Sequence, residues 1–356
     1  MNARTSLLLS TPLLLFLGSS RAPVDEITFG PEAGSSVTKT FETKTSLDLD
    51  DFTAVVDGQN VGDMIGSFEI SVESTNTIQV TDTYDAVEGS EVAKLTRSFE
   101  ELTGDAVVSI ESPMMEPQEQ TTSTSSDLAG LEVVFERGED GVEVSFADGS
   151  DGDEELLDGL EMDMDLRFLL PEGSVDEGDT WSVNLAAFKQ LVMPGGDLSF
   201  NAEGAEDMEG MEDMIEEIQG QFSDEFENLL DGTCEAVYKG MREEDGVSLA
   251  EIAFEIELSS AADLTELIDQ VIQMAQDETG EEIPLVFDQA DLNVDGSAEG
   301  TLLWNVAAGR AQSLDLTSSG SFAIDLALSV DAADESHSGE ISLEFSIGTE
   351  HSVEFE

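Results

Sequence analysis

The sequence predicts a mainly β protein of the α+β kind: a large antiparallel, curved sheet, or more than one, with two amphipathic helices covering one face. Three observations carry this. Apolar and polar residues alternate over long stretches, the period of a half-buried strand. Clusters of Gly, Asp and Glu punctuate those stretches as turns do. Only two segments change to the helical period.

The first element is an export signal. Arg4 is the one charge before a short apolar run at Leu7, Leu8, Leu9, Leu13, Leu14, Leu15, Phe16 and Leu17, interrupted by Pro12. That run falls short of the roughly 20 apolar residues a bilayer span needs. Gly18, Ser19, Ser20 and Ala22 supply the small residues of a cleavage region, so residues 1–22 read as a signal peptide, with Ser20 as the competing site because Pro23 hinders cleavage after Ala22. No Cys follows the run, which disfavours a lipid anchor.

The N-terminal region, residues 23–200, reads as antiparallel β structure. Val37, Phe41, Leu47 and Leu49 alternate, and Phe68, Ile70, Val72, Ile78, Val80 and Tyr84 all fall on even positions, as one long strand or a hairpin folded near Thr75 and Asn76. Residues 113–127, rich in Pro, Gln, Thr and Ser, read as a flexible loop. Leu131, Val133 and Phe135 face Val142, Val144 and Phe146 across a Gly138–Gly141 turn. The acidic stretch 148–155 is a second loop, and Met162, Met164, Leu166, Phe168 and Leu170 predict another strand.

The C-terminal region, residues 201–356, adds helices to a β meander and is open to sharing one sheet with the first. Met208, Met211, Ile215, Ile218, Phe222 and Leu229 form an apolar stripe, so residues 206–230 read as an amphipathic helix. Leu264, Leu267, Ile268, Val271 and Met274 predict a second, opened by Asp263 with Glu266 three residues on as a capping box. Strands flank the turn at residues 243–246. Further runs end on Trp304 and Val306, restart after Gly309, and continue through Phe322–Val330 and Ile341–Ile347.

Charge bounds the function. The 356 residues hold 81 acids against 12 bases, a formal net charge of −69, which becomes −71 once residues 1–22 and their two arginines are removed. Such a surface repels nucleic acid and anionic lipid and gathers cations. Yet 40% of the chain is hydrophobic, ordinary for a folded protein rather than a disordered one. Cys234 is the one cysteine, so no intrachain disulfide forms, and it reads as a small core residue.

Catalytic motifs are sparse. His337 and His351 are the two histidines, in no metal-binding or triad spacing, and no G-x-S-x-G turn or Gly-rich phosphate loop occurs. With 81 acids, some carboxylate pair lies at any chosen separation, so glycosidase-like pairs carry no information. One motif points to a cation: Asp291, Asn293, Asp295 and Gly296 reproduce the D-x-N-x-D-G opening of a calcium loop, with Glu299 at its ninth position. Position twelve is Leu302 instead of a closing Glu, and Asp295-Gly296 is equally a hairpin turn. Asp291, Asn293, Asp295 and Glu299 are thus candidate ligands for weak calcium, with no other cofactor expected.

Residues 170–181 carry Leu170-Pro171, Val175 and Gly178-Asp179-Thr180-Trp181. This resembles the LP…V…GDTW segment of uncharacterised secreted bacterial envelope proteins, where more antiparallel strands follow. The resemblance covers about a dozen residues and implies a secreted all-β protein, with no activity attached. Residue by residue, Pro171 ends a strand, Gly178-Asp179 turns the chain and Trp181 anchors the next element in the core.

The expectation is an exported, periplasmic or extracellular, acidic and non-enzymatic binding or envelope structural protein, sheltering an apolar ligand against the sheet. Its partners are cations and an apolar small molecule or envelope component; nucleic acid is excluded, and no integral span is left after signal removal. A calcium-dependent surface or adhesion protein is the first alternative, a carboxylate-based hydrolase the second.

Overall fold

The computed structural model describes residues 26–61, 69–112, 115–139, 141–202, 231–265, 268, 285–332 and 335–356. One antiparallel sheet of 14 strands dominates them. In chain order the strands are β1 (Ser36–Val56), β2 (Gln59–Asn60), β3 (Glu69–Glu88), β4 (Glu91–Ser112), β5 (Met115–Ser126), β6 (Glu132–Arg137), β7 (Val142–Phe146), β8 (Thr180–Ser182), β9 (Phe200–Ala202), β10 (Gly232–Glu244), β11 (Val247–Asp263), β12 (Leu285–Asn305), β13 (Arg310–Ala332) and β14 (Glu335–Phe355). Their order across the sheet is β7-β6-β4-β3-β1-β14-β13-β12-β11-β10-β8, with β2 on β1, β5 on β4 and β9 on β5.

The two halves of the chain share this sheet. β1 pairs with β14 from Lys39↔Phe355 to Val56↔Gly339, so the first strand and the last lie side by side at its centre. Five of the strands run 21 to 23 residues, or roughly 70 Å at the usual rise. Alternation, broken by bulges such as those at Asp50 and Asp288, keeps them in register, because a one-residue slip would turn the apolar side chains to the acidic face.

Only one end of these strands is packed as a core. Val37, Phe41, Ile78, Val80, Tyr84, Phe99, Leu102, Ile252, Phe254, Leu302, Trp304, Leu314, Val353 and Phe355 are buried there. Phe254 lies flat over Gly300, where any Cβ would overlap the ring. The N-terminal segment adds Ile27 and Phe29, tied down by a hydrogen bond from the Trp304 indole to the Thr28 carbonyl (3.3 Å).

What covers this end, among the described residues, is irregular chain. Residues 148–200 lay Leu160, Met164, Leu166, Leu169, Val175, Val183, Leu191 and Leu198 onto the sheet. Their one α-helix is α1 (Lys189–Val192), a single turn. The amphipathic helix expected at 206–230 lies outside the described residues, as does most of the one expected from 263. At the latter's start, the Asp263 carboxylate accepts from the Thr265 N–H (2.9 Å) and Ile268 N–H donates to the Leu264 carbonyl (3.0 Å), the opening of a capped turn.

Four expectations need correction. The strand expected over residues 162–170 is a coil ending in a 3-10 turn at Arg167–Leu169, with Leu166 in the left-handed region (φ 57°). Its alternation arises because Met164 and Leu166 drop onto the core while Asp163 and Asp165 turn to Arg167 and Lys39. Pro171 therefore follows this coil and ends no strand. The loop expected at 113–127 is largely the edge strand β5: its Thr residues suit a strand, its backbone pairs with β4, and Pro117 is tolerated on an edge. The hairpin turn at Asp295-Gly296 is the interior of β12, which passes straight through between β11 and β13. Likewise Thr75-Asn76 is mid-strand in β3, which resolves that choice in favour of one strand.

Candidate functional site

The register of the sheet sorts the side chains onto two faces, and the sorting is chemical. Beyond the packed core, cross-strand rows on one face read Val108, Val72, Leu47, Ile347, Gly320, Gly296, Leu258, then Ile110, Ile70, Leu49, Phe345, Phe322, Val294. Two further rows are Phe52, Leu343, Ile324, Leu292, Ala262 and Ala54, Ile341, Leu326, Ala290, Leu264. None of these four rows contains an Asp or Glu, in a chain with 81 of them. Most of these apolar side chains are half-buried rather than buried, and Ile347 is 37% exposed. Phe322 and Phe345 stack at the centre, with ring centroids 4.8 Å apart.

A polar band separates this surface from the core. Its residues are Thr124, Asn76, Thr43 and His351 in one row and Thr122, Ser74, Thr45, Thr349 and Ser318 in the next. Thr43 Oγ1 and His351 Nδ1 are hydrogen-bonded at 2.9 Å. Burial holds the His351 pKa below the usual histidine value, so the imidazole is neutral at pH 7. Gly104 makes room in the first row, since a Cβ there would overlap the side-chain oxygens of Asn76 and Thr124.

The opposite face carries the acids, often directly across from one another. Glu235, Glu255 and Glu299 form one cross-strand row over β10–β12, and Asp263, Asp291 and Asp325 another over β11–β13. The four calcium-ligand candidates therefore do not converge. Asp291, Asn293, Asp295 and Glu299 lie along one extended strand, about 6.8 Å apart per two residues. Asp291 and Glu299 meet acids of neighbouring strands instead, and Asp291 accepts a hydrogen bond from the Gln289 amide. Among the described residues, no group of three or more His, Cys, Asp or Glu is arranged to hold a metal ion.

Two surface depressions are open to solvent. One of about 500 Å³ lies where β1 leaves β3 and is lined by Asp48, Asp50, Asp51, Glu69 and Glu111. The other, about 910 Å³, lies over Gly296, Ser297, Ser319 and Gly320. Neither contains a histidine or cysteine. His337 sits at the distal end, paired with Asp57 (2.8 Å), whose carboxyl it holds below the usual range; Cys234 is buried, its thiol pushed up to about 11.

Under the polar band lies a buried ionic cluster that the sequence reading missed. Arg97 grips Asp82 with Nε (2.7 Å) and Nη2 (2.9 Å), and its remaining donors reach the carbonyls of Glu161 and Met162. Lys39 Nζ bridges Asp82 and Asp165, each at 2.7 Å, and the Tyr84 hydroxyl donates to Asp165 at 2.5 Å. Burial works against every charge here, but the mutual pairing wins. Lys39 and Arg97 are held above their usual pKa values, and Asp82 below the carboxylate range. Burial raises Tyr84, which stays protonated. The cluster ties β1, β3 and β4 to the covering segment and leaves no group free to react. A signal was present: Lys39, Asp82 and Arg97 each occupy the inward phase of their strand, between Val37 and Phe41, Val80 and Tyr84, and Leu95 and Phe99.

Fold and site define an antiparallel β protein with one acidic face and, opposite it, apolar rows beyond the packed core. No family model and no curated protein matches the chain. Among solved structures, an outer membrane channel from Pseudomonas putida F1 aligns at 7% identity over 92% of this chain and 98% of its own, with a TM-score of 0.18. OccAB4 of Acinetobacter baumannii aligns at 8% identity over 89% and 99%, with a TM-score of 0.11. At such scores neither alignment establishes a shared fold. No helix among the described residues is long and apolar enough to cross a membrane, which leaves spanning by strands unaddressed.

Proposed function

We propose that this is an exported, non-enzymatic binding protein or envelope structural component that shelters an apolar ligand on the apolar rows of its sheet. The observation that carries the reading is the apolar surface beyond the core, four rows deep and narrowing from seven strands to five. At usual strand spacings it covers on the order of 450 Å², comparable to the largest apolar patch of a soluble monomer. The acids give solubility from the other face, and the apolar runs at 206–230 and 263–274 are of the amphipathic kind that pairs with such a surface. The N-terminal run supports export to the periplasm or beyond. Detergent-free extraction followed by organic-phase mass spectrometry tests the reading. About one apolar molecule per chain is expected; empty protein that also refuses a neutral apolar probe would overturn it.

A second reading, a calcium-dependent surface protein, is favoured by the acid rows Glu235–Glu255–Glu299 and Asp263–Asp291–Asp325. Thermal unfolding in millimolar calcium against sodium at equal ionic strength separates the two, because a specific site stabilises saturably and screening does not. Equal effects are expected, with cations acting as counterions.

A further inference from the structure

We infer that the occupant of this face is a neutral amphiphile, its uncharged hydroxyl-bearing head at the Thr43–His351 band and one alkyl chain along the apolar rows. This deepens the binding reading and rests on it. The face is divided into two chemical zones, and a featureless hydrocarbon would match only one of them. In the band, the Asn76 amide and the hydroxyls of Thr45, Ser74 and Thr349 have no hydrogen-bond partner among the described residues, and Asn76 is exposed. Covering those groups with hydrocarbon would strand their donors and acceptors, whereas a head of hydroxyls satisfies them.

Charge selects the head. No Asp or Glu falls in the polar band or in the four apolar rows, so a cationic head has no counter-ion beside it there. An anionic head fares no better. The nearest cations on the same face, Lys39 and Arg97, are buried and bound to Asp82 and Asp165, His351 is neutral, and the chain as a whole carries −69. Length fits a single chain. From Ile347 to Ile341 the apolar rows extend roughly 20 Å, enough for the roughly 15 Å of one leaflet of a bilayer core.

The test uses the mature protein loaded with the neutral fluorescent probe N-phenyl-1-naphthylamine, displaced by 1-monopalmitoylglycerol or by palmitate below their aggregation limits. Monopalmitoylglycerol is expected to displace at about tenfold lower concentration than palmitate. In the double variant Thr43→Val, Asn76→Leu that advantage shrinks about tenfold while probe uptake persists. Glu344→Gln, on the acidic face, changes neither. Equal potency of the two lipids in the wild-type protein, or a double variant that loses probe and glyceride alike, overturns the inference. Failure of the wild-type protein to take up probe at all sinks the binding reading itself, so the two failures are distinguishable. Unfolding curves for each variant show that the fold is intact.

Discussion

Replacing Asp82 by Asn tests whether the buried cluster holds the covering segment to the sheet. Asp82 accepts three hydrogen bonds, from Lys39 Nζ at 2.7 Å and from Arg97 Nε and Nη2 at 2.7 and 2.9 Å, with its side chain wholly buried. The cluster balances two cations, Lys39 and Arg97, against two carboxylates, Asp82 and Asp165. Asn preserves the volume and removes one negative charge, leaving a net positive charge without water. Breaking a buried pair in this way costs about 3–5 kcal/mol, a fifth or more of the roughly 5–15 kcal/mol that holds a typical protein folded. Urea unfolding monitored by circular dichroism reads this as a lower midpoint. Adding Lys39→Met restores neutrality, and the double variant is expected to lose less than the single one. The Asp82 pKa is depressed, so its contribution is complete above the unfolded value of 3.8 and disappears as pH falls through the lower folded value. A loss below ~1 kcal/mol for Asp82→Asn would refute the reasoning, because it would mean that water reaches the site.

Three further outcomes follow from the same geometry. Glu255→Gln relieves like charges opposite Glu235 and Glu299 and is expected to raise stability by ~0.2–1 kcal/mol in low salt, with the gain fading in high sodium chloride. Gly300→Ala drives a methyl into the Phe254 ring and is expected to cost about 1–3 kcal/mol in urea unfolding. His351 has its pKa lowered by burial from 6.5, so its contribution is complete above that value and is lost as pH falls through the folded one; His351→Gln should flatten this part of the stability–pH profile.

Strand identity was readable because alternation is local. Even positions from Ile70 to Tyr84 and odd positions from Val37 to Leu49 needed no partner to reveal which side they face. Turn chemistry was readable where a turn has one job, as at Asp245-Gly246, both with positive φ. It failed at Asp295-Gly296, where the residues that open a hairpin also fit mid-strand beside Gly320 of β13. The Met162–Leu170 alternation misled because partners far in sequence, Lys39 above all, hold Asp165 and pull the chain off a strand path. The site was hidden for the same reason. Each strand's own pattern shows an apolar face, but the polar band appears only once Thr43, Asn76, Thr349 and His351, from three strands, are set in register. The charged residues in the inward phase of β1, β3 and β4 were the overlooked clue to the ionic cluster.

The central claim is that the apolar rows of the distal face hold an apolar ligand, and Phe345→Glu tests it most directly. Phe345 stacks on Phe322 in the middle of that face, half-buried and away from the packed core. Titration of N-phenyl-1-naphthylamine into wild-type protein should give saturable fluorescence enhancement near one probe per chain. The variant should lose it while its far-ultraviolet circular dichroism stays unchanged. Saturable uptake that survives a carboxylate at position 345, or no uptake by the wild-type protein, would contradict the account.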